Sequence, residues 1–120
     1  MQTRQRDPDL LLPLTPAVFH ILLSLVGGDH HGYGIMQEVA RQSDGQYKLG
    51  PGTLYDNLQR LLGQKLVQAL GRRAGDDDPR RRYYRLSPLG QAVLSAEISR
   101  LEDLVREARS MLQAWKPRRT

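Results

Sequence analysis

The chain has no cysteine, which excludes disulfide bonds and metal sites built on thiolates. It also lacks any apolar run near the ~20 residues that a membrane-spanning helix needs. Residues 1–9 are polar and carry both signs of charge, which is not the pattern of a secretory signal peptide. We therefore expect a cytoplasmic, soluble protein with no membrane partner. At 120 residues the chain holds one domain, with room for one appended element.

Catalytic and metal-binding motifs are missing as well. No pattern couples a nucleophile to a base, and residues 50–52 are typical of a helix start and not of a glycine loop that cradles phosphates. The histidines do not form a ligand set, because His30 and His31 are adjacent and adjacent side chains rarely point at one ion. His20 lies alone in an apolar segment. We expect no enzymatic activity, no metal and no cofactor.

Positive charge, by contrast, is concentrated in two short stretches. Residues 1–71 are balanced and residues 88–115 have a net charge of −1. Residues 72–87 and the last five residues each have a net charge of +3, within a total of +5. Such a concentration suits phosphate binding, because each neutralised phosphate releases condensed counterions. The alternative is a solvated, disordered basic loop.

Three helices are predicted in the first half of the chain. Thr15-Pro16 is a capping residue followed by proline, and an apolar helical pattern continues from there to Gly27-Gly28. A turn over residues 29–34 leads into a second helix, which residues 43–45 end. The third helix starts at Pro51. Its apolar stripe comprises Leu54, Leu58, Leu61 and Leu62.

Two short strands are predicted next, over residues 66–70 and 81–86, joined by a loop over residues 71–80. We therefore expect a mostly α-helical protein with a small β-hairpin: a winged helix-turn-helix domain over residues 15–87, preceded by an arm over residues 1–14. In such a domain the third helix enters a DNA groove and the hairpin clamps the flanking backbone.

The residues expected to contact DNA are polar side chains of the third helix and basic side chains of the hairpin. On and before the third helix they are Lys48, Gly52, Thr53, Tyr55, Asp56, Asn57, Gln59 and Arg60. In the hairpin they are Arg72, Arg73, Arg80, Arg81, Arg82 and Tyr84. Asn57, Gln59 and Arg60 have the chemistry to read adenine or guanine edges. Tyr83 and Tyr84 point to opposite sheet faces, so one is expected in the core and the other exposed or at the DNA. Tyr33 is a packing residue of the second helix or a phosphate contact.

A long last helix is predicted from Ser87-Pro88 to Trp115. Its apolar residues are spaced 4 and 3 apart in alternation, which is the seam of a coiled coil. They are Leu94, Ile98, Leu101, Val105, Ala108, Leu112 and Trp115. A 28-residue helix is about 42 Å long, too long for a small winged domain to cover. We therefore expect a homodimer joined through residues 88–116, with a basic tail over residues 117–120. The alternative is a helix folded back on its own domain.

Three blocks of this sequence, in this order, resemble the PadR family of bacterial transcriptional regulators. They are residues 31–35 (HGYGI), residues 50–55 (GPGTLY) with Leu58, Arg60 and Leu61, and residues 82–90 (RYYRLSPLG). The single C-terminal helix and the short chain resemble the smaller subgroup of the family, whose members are dimers. The sequence departs from the family pattern at Ser87, where threonine is usual, at Gly63, which is often acidic, and at the three aspartates of residues 76–78.

The resemblance implies a repressor that binds a palindromic operator as a homodimer and is often released by a small aromatic or cationic compound. Trp115, the only tryptophan, would then stack on the effector between the subunits. The other reading is that Trp115 packs against the partner's first helix or against residues 10–12. A hypothesis of a different class is a dimeric winged-helix interaction or ligand-binding module that does not bind DNA. The two hypotheses differ in the role of the basic hairpin, because only the DNA-binding protein needs its arginines for binding to a duplex.

Overall fold

The computed structural model describes residues 7–71 and 81–118. Within these residues there are a 3-10 helix, four α-helices and three strands. In chain order they are the 3-10 helix Pro8–Leu11, α1 Pro16–Ser24, β1 His30–His31, α2 Gly32–Gln42, α3 Pro51–Gly63, β2 Val67–Leu70, β3 Tyr83–Leu86 and α4 Pro88–Ala114. The predicted class, mostly helical with a small sheet, is confirmed. No described helix has both the length and the apolar character needed to cross a bilayer.

Side-chain caps set the starts of three helices. The hydroxyls of Thr15 and Ser87 each accept the N–H three residues later, at 3.2 and 2.9 Å, and proline follows both. α2 is capped differently, by His31, whose Nδ1 accepts the Gly34 N–H at 3.1 Å. α3 begins at Gly50-Pro51 and no side chain caps it, so the N–H groups of its first turn stay directed outward.

The sheet has three antiparallel strands with β3 in the centre. Val67 lies opposite Leu86 on the β2 side, and His31 lies opposite Tyr83 on the β1 side. β1 was not predicted, because two residues are too short for an alternating pattern and the glycines that follow indicate a turn. The second edge of β3 supplies the hydrogen-bonding partners that make His30–His31 a strand.

The core lies where α1, α2, α3 and the start of α4 meet. The helical stripes predicted from the sequence supply its fully buried side chains. They include Ile21, Leu22, Ile35, Val39, Leu54, Leu58 and Leu61, and Val93 of α4, which the predicted pattern did not contain, is fully buried beside them. Leu94 also belongs to this core, since it is only 4% exposed. Its predicted place on the dimer seam is therefore wrong, because the first turns of α4 pack onto their own domain.

The hairpin and α4 are joined by a close backbone approach. Gly90 lies against the Leu66 carbonyl oxygen and the Leu86 side chain, which occupy the space that a Cβ would need. The Ser87 hydroxyl also donates to the Lys65 carbonyl at 2.7 Å. These contacts hold the start of α4 against the base of the hairpin and so fix the direction in which α4 leaves the domain.

The predicted N-terminal arm is partly a packed element. The 3-10 helix contacts α4, and Leu11, Leu12 and Leu14 pack against the core. The Leu14 N–H donates to Glu97 Oε2 at 2.9 Å, and Glu97 is only 2% exposed. The paired Arg100 guanidinium, together with the Leu14 N–H, lowers the pKa of Glu97 although burial acts in the opposite direction.

α4 leaves the domain near Leu101 and does not fold back on it. Every residue from 102 to 118 is exposed. The radius of gyration is 17.9 Å, whereas a compact chain of this length has about 14 Å. The outer half of α4 is thus a projecting rod that still carries apolar side chains. Those more than 40% exposed are Leu104, Val105, Met111, Leu112 and, just past the helix, Trp115.

Candidate nucleic-acid interface

α3 has one buried face and one polar outer face. Leu54, Leu58 and Leu61 hold it in the core, and the opposite side is open to solvent. The exposed residues of the predicted set on α3 are Gly52, Thr53, Tyr55, Asp56, Gln59 and Arg60. Lys48, just before the helix, is exposed as well. This face and the uncapped first turn of α3 can meet the edges of bases and the oxygens of phosphates.

Asn57 does not lie on this face, so its predicted place there is wrong. The residue is 9% exposed, and its Nδ2 donates to the Thr53 carbonyl at 2.8 Å. The helical period explains the difference. Asn57 follows Leu54 by three residues and precedes Leu61 by four, which sets it on the buried stripe. Its polar side chain is satisfied within its own helix.

The two hairpin tyrosines differ as strand alternation predicts. Tyr84 is 7% exposed and packs in the core, whereas Tyr83 is half-buried and its ring meets His31 edge-on. Tyr84 was the predicted DNA contact, and its burial corrects that assignment. Burial, with a smaller contribution from nearby Tyr55, raises the pKa of the Tyr84 hydroxyl.

The hairpin arginines have different surroundings. Arg81 and Arg82 are exposed at the start of β3, whereas Arg72, Arg73 and Arg80 lie outside the described residues. Arg85 makes two hydrogen bonds to Asp29, at 3.1 and 3.0 Å, which raise its pKa. Part of the positive charge counted over residues 72–87 is therefore neutralised by a residue distant in sequence, which charge counting along the chain does not detect.

A cleft lies between α3, the start of α2 and β3, and we call it the Tyr55 cleft. Its inner cavity has a volume of about 260 Å³. The residues lining it are His31, Gly32, Tyr33, Tyr55, Arg81, Arg82 and Tyr84. A second cavity of about 480 Å³ continues between α3 and the hairpin, and Tyr55, Arg82 and Tyr84 line both. Because Gly32 has no side chain, the Tyr55 hydroxyl packs directly over its Cα.

The opposite end of the molecule carries an apolar groove between α1 and α4, of about 560 Å³. Its apolar lining is Phe19, Ile98, Leu101 and Val105, with Glu102, Arg106 and Arg109 at the rim. Three of these apolar residues belong to the predicted seam. Of the other seam residues, Ala108, Leu112 and Trp115 are exposed beyond the groove. The groove and the rod beyond it form one continuous surface.

The histidines have structural surroundings. His31 is the α2 cap already described, and the His20 ring stacks on Tyr47 with a centroid separation of 4.5 Å. Within residues 7–71 and 81–118, no three His, Cys, Asp or Glu side chains are grouped as a metal site requires.

Comparison with known proteins agrees with this arrangement. Residues 21–96 match the Transcriptional regulator PadR-like family. Over 88 residues the chain is 38% identical to the transcriptional regulator Rv3488 of Mycobacterium tuberculosis, covering 73% of this chain and 78% of that protein. This chain belongs to the PadR-like family. The resemblance inferred from the three sequence blocks is confirmed. The protein is a DNA-binding winged-helix transcriptional regulator and not an enzyme.

Solved structures agree on the fold. A PadR family transcription regulator from Clostridium difficile R20291 superposes with a TM-score of 0.70 at 21% identity, covering 82% of this chain and 99% of that one. BpsR of Bordetella bronchiseptica, whose DNA binding is regulated by 6-hydroxynicotinic acid, superposes with a TM-score of 0.62 at 21% identity, covering 90% and 74% of the two chains. At these identities the likeness concerns the winged-helix architecture.

Proposed function

We propose that this PadR-family protein is a repressor that binds a palindromic operator as a homodimer. The observation that carries the proposal is the exposed apolar surface of α4. The domain leaves Val105, Leu112 and Trp115 in solvent, at 48%, 69% and 66% exposure. In a single chain the exposure of this apolar face to water is unfavourable, because the face is removed from solvent only when a partner covers it.

The occupant we assign to this surface is α4 of a second copy. The seam spacing on α4 is self-complementary, as a two-fold interface requires. The groove beside Phe19 continues this surface onto the domain, and its rim carries both signs of charge, from Glu102 and from Arg106 and Arg109. Arg106 is paired with Asp103 within α4, so Glu102 and Arg109 are the rim charges that a second copy would meet.

A two-fold dimer presents two α3 helices to one duplex. The half-sites are then related by the same two-fold axis and lie one helical turn apart, ~10 base pairs, or a multiple of it. Gln59 and Arg60 are exposed residues of α3 with the chemistry to read adenine or guanine edges. Arg81 and Arg82 contact phosphates at the flank, together with the hairpin arginines Arg72, Arg73 and Arg80. Lys48 contacts a phosphate ahead of α3.

We assign the effector-binding role to the surface around Trp115. The ring is 66% exposed at the end of α4, where a two-fold partner approaches. BpsR, similar in fold, responds to a planar aromatic acid. The resemblance to the smaller PadR subgroup extends the ligand class to aromatic or cationic compounds. Because the family acts on the chromosome, we assign the protein to the cytoplasm.

The experiment that tests this function starts from binding. Duplexes are selected from a random pool with the purified protein, and the upstream region of its own gene is tested in parallel by gel shift. We expect an inverted repeat and a complex containing two chains, measured by light scattering coupled to size-exclusion chromatography. Enrichment of no sequence, or a complex with one chain per duplex, contradicts the proposal.

The effector role is tested on the same complex. Planar aromatic and cationic compounds are titrated against the free protein while tryptophan fluorescence is recorded, and the responding compounds are added to the DNA complex. We expect saturable quenching and release of the duplex. Since Trp115 is the only tryptophan, a flat titration over the whole panel contradicts its role as the effector contact.

A further inference from the structure

The Tyr55 cleft lies beside the path that a DNA strand takes when a duplex is docked on α3. When α3 lies in a major groove and the hairpin reaches the adjacent minor groove, the sugar–phosphate strand that separates the two grooves passes between them. The Tyr55 cleft occupies this position, since its walls are α3, the start of α2 and the start of β3. A strand crossing here brings phosphodiester groups over the mouth of the cleft.

The chemistry of the cleft suits an anion. Among the residues that the structure describes, the cavity is lined by Tyr33, Tyr55 and Arg82 and by no Asp or Glu. Tyr55 and Arg82 are both exposed to solvent. The cavity, at about 260 Å³, is large enough for a phosphate group.

Gly32 sets the position of the Tyr55 hydroxyl. Any larger residue at position 32 would place its Cβ within the space of that hydroxyl and of the ring carbon that bears it. The absent side chain therefore lets the Tyr55 hydroxyl lie against the start of α2, at Gly32, which also lines the cavity. A hydroxyl held in this way loses little rotational freedom when it donates a hydrogen bond to a ligand.

We infer that the Tyr55 cleft is the binding site for one phosphodiester of the DNA backbone, with the Tyr55 hydroxyl as donor and Arg82 as counter-charge. The inference rests on the proposed operator binding and deepens it, because it assigns one backbone position in each half-site to a defined pocket. Tyr55 is then a residue that sets the docking of α3 and does not read sequence. Gln59 and Arg60, farther along the same face, keep the reading role.

The test is a scan of neutral backbone positions. Each phosphate of one operator half-site is replaced in turn by a methylphosphonate, and the affinities of the wild type, Tyr55→Phe and Arg82→Gln are compared. In the wild type we expect several positions to weaken binding. At one of them the weakening is smaller in each variant than in the wild type, because each variant has already lost one of the two contacts to that phosphate, while the other positions behave as in the wild type.

The unmodified operator supplies two further readouts. Tyr55→Phe is expected to bind about three- to ten-fold more weakly, the effect of one hydrogen bond. Arg82→Gln is expected to reduce the slope of log affinity against log salt by about 1. Neither variant changes the preferred sequence. Tyr47→Phe, which loses a hydroxyl beside His20 and away from the cleft, is the matched control and binds as the wild type does.

The outcomes separate the two proposals. A wild type that binds no duplex overturns operator binding and this inference with it. A wild type that binds its operator, with no phosphate position at which both variants show a reduced effect, overturns the cleft as a phosphate site and leaves operator binding standing. An altered base preference in Tyr55→Phe also overturns the inference. Thermal unfolding followed by circular dichroism checks that Tyr55→Phe is folded, and Arg82→Gln, at an exposed position, tests the site independently.

Discussion

At the scale of single residues, two glycines give the interface its geometry by leaving space for other atoms. Gly32 makes room for the Tyr55 hydroxyl, and Gly90 makes room for the Leu66 carbonyl. The physical cause is the same at both positions, since neither requires an unusual backbone angle and both exclude a Cβ by close contact. The two contacts differ in how easily they adapt to an added Cβ, because a tyrosine side chain can rotate away and a backbone carbonyl cannot.

Gly90→Ala should therefore destabilise the fold. The added Cβ meets a backbone oxygen that is tied into the base of the hairpin, and overpacking of this kind costs about 1–3 kcal/mol. Chemical denaturation measures the free energy of unfolding. Gly63→Ala is the control, because a Cβ at position 63 meets nothing within 4 Å. An unchanged stability in Gly90→Ala would show that α4 moves away from the hairpin at little cost.

Glu97 is the buried charge that ties the N-terminal segment to α4. Glu97→Gln keeps an acceptor for the Leu14 N–H but loses the charge that pairs with Arg100. We expect the free energy of unfolding at pH 7 to fall by about 1–3 kcal/mol. Glu107→Gln, on the exposed part of α4, is the control and should have little effect.

The lowered pKa of Glu97 predicts how the effect of Glu97→Gln on stability changes with pH. The pKa of Glu97 is lowered in the folded protein, so the ionised carboxylate stabilises the fold above the unfolded pKa of about 4.3. This stabilisation is lost as the pH falls through the folded pKa. The difference between wild type and Glu97→Gln should therefore be constant above about pH 5 and shrink in more acidic solution. A difference independent of pH down to acid unfolding would contradict the role of the charge.

At the scale of elements, the proposed function assigns different parts of DNA binding to α3 and to the hairpin. The exposed face of α3 is proposed to distinguish bases, and the hairpin is proposed to supply charges that contact any phosphate. Asn57 is buried and Tyr84 packs in the core, whereas Gln59 and Arg60 are exposed in the second half of α3. Specificity and affinity are thus separable by mutation.

Arg60→Ala should relax sequence preference. A bidentate arginine contact to guanine contributes about 1–3 kcal/mol of discrimination against the wrong base. Selection from random duplexes should therefore yield a degenerate base at one position of each half-site. A uniform loss of affinity with an unchanged preferred sequence would reassign Arg60 to the backbone.

The triple variant Arg80→Ala, Arg81→Ala and Arg82→Ala should lower DNA affinity and leave sequence preference unchanged. Loss of these charges should weaken binding to all duplexes by a similar factor and reduce the salt slope by up to about 3, about one for each lost phosphate contact. Gel shifts over a salt series measure both quantities. Binding equal to the wild type at every salt concentration would remove the hairpin from the interface.

At the scale of the whole molecule, the domain and the projecting rod differ in how much of their apolar surface a single chain buries. The domain buries its own core, but α4 continues for about 13 residues past the part that the domain covers. A single chain thus has an extended shape, with a radius of gyration of 17.9 Å. A second chain on the rod would remove the exposed apolar area and would also fix the distance between two α3 helices.

Charges on the seam should separate the two chains. We expect Val105→Asp combined with Leu112→Asp to give a monomer at micromolar concentration, measured by analytical ultracentrifugation. DNA affinity should fall by about 10²- to 10⁴-fold, because the second half-site is then no longer bound intramolecularly. Ser110→Asp adds the same charge to the same helix away from the seam and should remain dimeric. A wild type that is itself monomeric would contradict the proposed assembly.

The sequence alone determined the local features of this protein. Caps followed by proline set the starts of α1 and α4, and the leucine period set the buried face of α3, because these signals act within a few residues. The three blocks that resemble the PadR family identified the architecture. The same leucine period places Asn57 on the buried face of α3, although its polar side chain led to the prediction that it was exposed.

Only the tertiary structure decided which residues meet across long separations. Asp29 neutralises Arg85 from 56 residues away, and Glu97 accepts the Leu14 N–H from 83 residues away. The pairing of β1 and the packing of Tyr55 over Gly32 depend in the same way on how elements dock. Such contacts arise from the positions of whole helices and strands, which no short stretch of sequence encodes, and they determine which charges and hydroxyls remain exposed on the proposed DNA-binding face.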